Sequence, residues 1–332
     1  MSGLTRLGTL LAQLRGEPPG RIAPREELVN VLEFAEMAQR TLSGSTYSAI
    51  AGGDRGPFDR ITFRPRLMVN MLALDLTTEL FGDKLFAPIL VGPMSEQGRF
   101  HAEGELATAR GASAAKAAMV VSAKSSQSLD KIAAQIKTSW WYQVFPGPKV
   151  DDLRGPVRQA VDAGCKAVCI TVGAPNPGTG SASLSWDALD RVRQGIHVPV
   201  LLKGIMSPEE ARTAVGRGVQ GIIVSNYGGL GVPGVASTME MLPSIVEAVG
   251  GKAPVLIDGS FRKGSDVLKA LALGARAVLV GRPVMWGLAA YGADGVQTVL
   301  ELLQTELARS VAMCGRPNMR SIDKTVVRVH EA

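Results

Sequence analysis

Residues 254–290, PVLIDGSFRKGSDVLKALALGARAVLVGRPVMWGLAA, contain one short pattern twice. An apolar run ends on Asp258-Gly259, a helix-forming stretch follows from Gly264, and a second apolar run (Ala277–Val280) ends on Gly281-Arg282-Pro283. Short runs of Val, Leu and Ile bounded by glycine, alternating with Ala- and Leu-rich helical stretches, read as βα units. The runs carry no polar alternation, as expected of parallel strands covered on both faces.

The same unit recurs upstream. Apolar runs begin at 88 (PILVG), 119 (MVVSA), 140 (WWYQV), 167 (AVCITV), 199 (PVLLKG) and 221 (GIIVSN), which with 254 and 277 makes eight. Eight consecutive βα units predict a closed parallel (β/α)8 barrel of the TIM type. Between the runs, SPEEARTAVGRG (207–218) opens on Ser207, Pro208 and two acids and closes at Gly218, which are helix start and stop signals. GAPNPGTGSAS (173–183) reads as the loop after the fourth strand, and LDLTTELFG (74–82) as a hairpin leading into the first. Residues 1–60, with a helix around ELVNVLEFAEMAQRTL and a turn-rich AGGDRGPFD, are expected to form a helical extension packing across one end of a barrel built from 61–332.

A chain of 332 residues with 46% apolar content buries one large core. The net charge of +6 comes from Lys and Arg scattered along the chain, without a dense basic run or interleaved aromatics, which argues against nucleic acid as a partner. No apolar stretch nears the ~20 residues of a membrane span, and the opening MSGLTRLGTLLAQLRGEPPG lacks a signal-peptide core, so a cytoplasmic location is expected. Cys165, Cys169, Cys314 and His101, His197, His330 show no metal-ligand spacing, and no metal is expected.

In such barrels ligands sit where strands end. The residues there are Pro93, Met94 and Ser95, then Ser122, Gln143, Thr171, Lys203, Ser225 with Asn226, Asp258 with Gly259, and Gly281 with Arg282. Burying so many polar groups costs about 1–3 kcal/mol for each left unsatisfied, so a polar ligand or water is expected among them. For Ser122, Thr171 or Ser225 taken singly, a bond to local backbone is an equal alternative. Asp258, Gly259 and Arg262, with Gly281 and Arg282, combine helix N-termini and guanidinium groups at the usual barrel phosphate position. That pattern is shared by phosphosugar and flavin enzymes.

The segments LLKGIMSPEEAR, GIIVSNYGG and 254–290, with FRPR (63–66) and HAEGELATARGASAA (101–115), resemble the FMN-dependent α-hydroxy acid oxidase and dehydrogenase family over about residues 28–322. The resemblance implies FMN at the barrel mouth, with Pro93, Met94, Ser95, Ser122, Gln143 and Thr171 around the ring. It sets Lys203 beside the ring's N1 and C2 carbonyl, where an ammonium steadies the reduced anion, and Ser225 against the ring or ribityl chain. Asp258, Gly259, Arg262, Gly281 and Arg282 match the ribityl and phosphate contacts. The alternatives are a strand-end Lys203 paired with an acid such as Asp258, and a surface Arg262 near a helix start. The resemblance further implies a homotetramer and a small-molecule substrate.

The family's SNHGGRQ motif stands here as Ser225-Asn226-Tyr227-Gly228-Gly229-Leu230-Gly231. Tyr227 thus replaces the catalytic histidine, and Leu230 replaces a carboxylate-binding arginine. Ala49 and Phe145 stand at the two substrate tyrosines, and the loop after the fourth strand has no arginine. A phenol of pKa about 10 is a weak base at neutral pH. A rebuilt substrate pocket is therefore expected, with Phe145, Leu230 and Lys124 in its wall, Glu96 nearby, and a non-standard hydroxy acid or related substrate. The alternatives are a flavin-binding protein without hydroxy acid oxidase activity, and a flavin-free phosphosugar lyase or isomerase using Lys203 as a Schiff-base nucleophile.

Overall fold

The computed structural model describes residues 20–146, 150–173, 185–226 and 236–330. Its strands are β1 (Ile61–Phe63), β2 (Thr78–Leu80), β3 (Asp83–Leu85), β4 (Ile89–Val91), β5 (Ala118–Ser122), β6 (Trp140–Val144), β7 (Val168–Thr171), β8 (Val200–Ile205), β9 (Gly221–Val224), β10 (Val255–Ile257), β11 (Ala277–Val280) and β12 (Val327–Val329). Strands β4 to β11 form a closed parallel barrel in chain order. The ring shuts where Leu279 of β11 pairs with Leu90 of β4. All eight apolar runs of the sequence are its staves.

Each stave turns alternate side chains to opposite faces. Leu90, Val120, Trp141, Cys169, Leu201, Ile223, Leu256 and Leu279 cluster inside the barrel. Ile89, Met119, Val168, Leu202, Ile222 and Val278 pack outward into the core shared with the helices. The antiparallel β2–β3 hairpin closes the N-terminal end, its Phe81 meeting Trp141 edge-to-face at 5.5 Å between ring centres. With that end plugged by apolar rings, the polar strand ends can face a ligand only at the opposite mouth.

Local chemistry explains the helices. Ser207 caps Pro208–Gly216 by accepting from the Glu210 amide at 3.3 Å, with Pro208 at the first turn. Asn30 and Glu33 form a reciprocal capping box at the start of Val31–Thr41. The stretch Arg282–Met313 is two helices joined across Tyr291 and Gly292. The Tyr291 hydroxyl donates to the Ala23 carbonyl at 2.7 Å and its ring meets Phe34 edge-to-face, so the join docks the extension. Two features were not anticipated: this join, and the antiparallel pairing of β1 with β12, which brings residues 61–63 beside 327–329.

Candidate active site

The mouth begins with a chain of hydrogen bonds across neighbouring strand ends. Ser122 lies opposite Gln143, and Thr171 opposite Lys203, in the barrel register. The Ser122 hydroxyl donates to Gln143 Oε1 at 3.0 Å, and Gln143 Nε2 donates to Thr171 Oγ1 at 2.8 Å and to the Val144 carbonyl at 3.0 Å. Ser95 adds its hydroxyl 3.2 Å from that of Ser122. These groups therefore satisfy one another, and the expectation that ligand or water must do so is corrected. The sole buried side-chain polar atom without a partner among the described residues is Arg316 Nε, far along the chain. What the network does is fix the direction of each donor and acceptor before anything binds.

Lys203, buried at the end of β8, donates from Nζ to Ser225 Oγ at 2.8 Å and pairs with Asp258 Oδ2 at 2.8 Å. The acid partner weighed from the sequence is thus present. A buried ammonium needs such a partner. The pair carries little net charge, so the site accepts developing negative charge next to a cation whose own burial is already compensated.

Beyond Asp258 the charge balance changes sign. Arg262 is buried, its guanidinium 4.5 Å from the Trp286 ring centre, donating to the carbonyls of Gly52 at 2.9 Å and Phe261 at 2.8 Å. The surface reading of this arginine is excluded. A Cβ on Gly53 would lie 2.9 Å from a guanidinium nitrogen of Arg262 and 2.9 Å from one of Arg282, so both converge on one point. Neither forms an ion pair with a carboxylate of the described residues within 4.0 Å. Burial, then the neighbouring Arg282 and Arg55, push the Arg262 pKa down to about 9, and burial also lowers that of Arg282. Two desolvated, converging cations with no carboxylate of the described residues in contact are built to receive an anion.

A cavity of about 360 Å³ joins these parts. Pro93, Met94, Ser95, Gln143, Thr171, Lys203 and Ser225 line it, as do Asp258, Gly259, Arg262, Gly281 and Arg282. Ser122 stands behind this wall, holding Gln143 and Ser95. Phe145 and Ala49 also line it, and Lys124 holds its ammonium 4.6 Å from the Phe145 ring centre. Tyr227 and Leu230 lie outside the described residues. Sequence reading missed Ile50, Arg99 and Phe100 in the lining, and Arg55 behind it. Arg99 and Phe100 follow the first strand within ten residues and were findable by extending the strand-end census.

A model of the FMN-dependent dehydrogenase family matches residues 39–181 and 176–329. The chain belongs to that family. As an FMN-dependent dehydrogenase it is 35% identical to a peroxisomal (S)-2-hydroxyacid oxidase of Arabidopsis thaliana, over 91% of this chain and 97% of that one. It is also 35% identical to an L-lactate oxidase of Nostoc sp., over 91% and 98%. Among solved structures, mandelate oxidase with (S)-2-phenylpropionate superposes with a TM-score of 0.85 at 36% identity, covering 92% of this chain and all of that one. A mandelate oxidase variant with the C4a-OH-FMN adduct gives 0.83 at 36% identity, covering 90% and 100%.

The residues of this dehydrogenase fit FMN. The paired guanidinium groups converge beside Gly53, where a Cβ would crowd both, and Gly259 and Gly281 line the cavity next to them, which suits a phosphate. The cavity volume is that of a small-molecule site, and its fixed donors and acceptors, Gln143 and Thr171 above all, suit the edge of a flat heterocycle.

Proposed function

We propose that this FMN-dependent dehydrogenase oxidises the CH–OH group of a hydroxy acid, or a close relative of one, that is bulkier or less acidic than glycolate or lactate. The observation carrying this reading is the contrast within one cavity. The lining keeps the full set of polar strand ends and paired arginines, whereas Phe145 and Ala49, at the positions of the family's two substrate tyrosines, put apolar groups into it. Bound FMN supplies the acceptor for a hydride leaving the substrate carbon. Pro93, Met94, Ser95, Gln143 and Thr171 would hold and orient the ring, with Ser122 behind them, Ser225 and Gly259 the ribityl chain, and Arg262, Gly281 and Arg282 the phosphate. Lys203 would set an ammonium toward the bound ring and stabilise negative charge on it, while Asp258 holds that ammonium in place.

By their places in the family motif, Tyr227 would offer a phenol donor to a substrate hydroxyl or carbonyl and Leu230 would present no carboxylate-binding charge, while Phe145 is apolar. Lys124 holds an ammonium over the Phe145 ring. Anaerobic titration of the yellow holoenzyme with 2-hydroxy acids of graded size, hydroxy amides and alcohols tests the reading. Bleaching by a larger or less acidic member ahead of glycolate and lactate is expected, and fastest bleaching by those two would sink it. No bleaching by any compound would favour the second reading, a flavin-binding protein without this activity, which the replacement of hydrogen-bonding side chains by Phe145 and Ala49 also suits. A Schiff-base role for Lys203 would need its Nζ released from the contacts with Asp258 and Ser225. The proposal includes a cytoplasmic homotetramer, checked by fractionation and by light scattering of the purified protein.

A further inference from the structure

The loop that carries Arg262 is gripped from outside the barrel. Gly259 and Ser260 both have positive φ (106° and 58°), the second costly for a residue with a side chain. Such a loop keeps its shape only if its surroundings hold it. The holder is Arg55, more than two hundred residues earlier in the extension. Its NH1 donates to the Ser260 carbonyl at 3.0 Å and to Asp266 Oδ2 at 2.6 Å, and its NH2 to Asp266 Oδ1 at 3.1 Å. Asp266 is itself buried and accepts, on Oδ2, the backbone amides of Arg262 and Lys263, each at 2.9 Å. Phe58 and Phe261 meet edge-to-face at 5.1 Å beneath this contact.

We infer that Arg55 is a positioning residue for phosphate recognition: by holding Asp266 and the Ser260 carbonyl, it fixes the loop that aims Arg262 at the phosphate of FMN. Two physical effects combine. Arg55 clamps a strained turn through a bidentate, charge-assisted contact. It also neutralises Asp266, a buried carboxylate whose Oδ2 accepts the Arg262 amide, so that this charge does not compete with phosphate for the Arg262 guanidinium. With Arg55 gone, a buried carboxylate lacks its cation, and Arg262 is one of the cations left to answer it. Arg55 lies outside the cavity lining, so its effect passes through Arg262.

The test separates phosphate recognition from general support. The full chain, stripped of flavin, is titrated with FMN and with riboflavin, which lacks the phosphate, following quenching of flavin fluorescence. For Arg55→Gln, FMN binding weakens about 10- to 100-fold, the worth of one charge-assisted contact, while riboflavin binding stays within about threefold. Arg55→Lys keeps the charge without the two-pronged fork and gives an intermediate loss. A merely structural role would lower both affinities alike and drop the thermal midpoint of the flavin-free protein. Equal weakening of both ligands, or no change in either, overturns the inference; if Arg55→Gln does not fold, the same ratio for Arg55→Lys decides it. A wild-type chain that does not prefer FMN to riboflavin would instead overturn the phosphate site itself.

Discussion

At the scale of single residues, the cavity is an arrangement of charges, and each can be removed in turn. Lys203→Met leaves Asp258 and Ser225 without their ammonium. The rate of anaerobic flavin reduction is expected to fall about 100-fold or more, the usual cost of losing a preorganised charge, while the protein stays yellow because the arginines are intact. An unchanged rate would remove Lys203 from the chemistry. Tyr227→His combined with Leu230→Arg restores a base of suitable pKa and a carboxylate fork, and is expected to raise turnover of lactate at least about tenfold. If it does not, the change in substrate preference lies elsewhere in the pocket. The Arg262 pKa near 9 in the flavin-free protein fixes a pH dependence. Between about 6, where the phosphate gains its second charge, and that value, both partners stay fully charged and FMN affinity is flat. Bound phosphate raises the pKa, so above about 9 binding must take up a proton and affinity falls, by up to about tenfold per pH unit, whereas riboflavin binding does not. The strand-end residues were legible because polar groups stand out at the ends of apolar runs. Arg55 was not: its meaning comes from a contact with Asp266, and nothing local distinguishes it from the other scattered arginines.

At the scale of elements, close packing sets how precisely the phosphate loop is held. The helix Gly264–Ala272 begins directly after Arg262-Lys263, and a Cβ on Gly264 would lie 2.1 Å from the Leu307 amide nitrogen and 2.5 Å from the Leu303 carbonyl. Both are backbone atoms of the last long helix and cannot swing aside. Gly264→Ala should therefore push the two helices apart, cost about 1–3 kcal/mol in denaturant unfolding, and weaken FMN binding by tilting the loop. Gly155, inside Arg154–Asp162 with nothing within 4 Å of its Cβ position, is the control. Gly155→Ala should stabilise by about 0.5–1 kcal/mol and leave FMN binding unchanged. The barrel staves could be read from sequence because parallel strands covered on both faces leave unbroken apolar runs. The β1–β12 pair and the join at Tyr291-Gly292 could not, since three-residue strands of mixed polarity have no period and the join depends on Ala23 and Phe34.

At the scale of the whole molecule, the extension and the barrel meet at the phosphate end of the cavity. Trp286 Nε1 donates to the Ile50 carbonyl at 3.0 Å, Arg262 to that of Gly52, and Lys269 Nζ to that of Phe58 at 2.8 Å, while Arg55 reaches Asp266. Every one of these contacts joins residues 50–58 to the last two βα units, where the phosphate would bind. Without an anion the converging arginines repel each other, and that repulsion works against the same contacts. Phosphate removes it, so cofactor binding and the docking of the extension should stabilise one another as linked equilibria. Amide hydrogen exchange can read this directly. FMN is expected to slow exchange in residues 50–58 and 259–266 together, and riboflavin to slow it only at the strand ends around the ring, such as 143–144 and 171–172. Protection of the strand ends alone by FMN would mean that the extension docks independently of the cofactor, and that its contacts with Arg262 and Asp266 serve stability without tuning the affinity for phosphate.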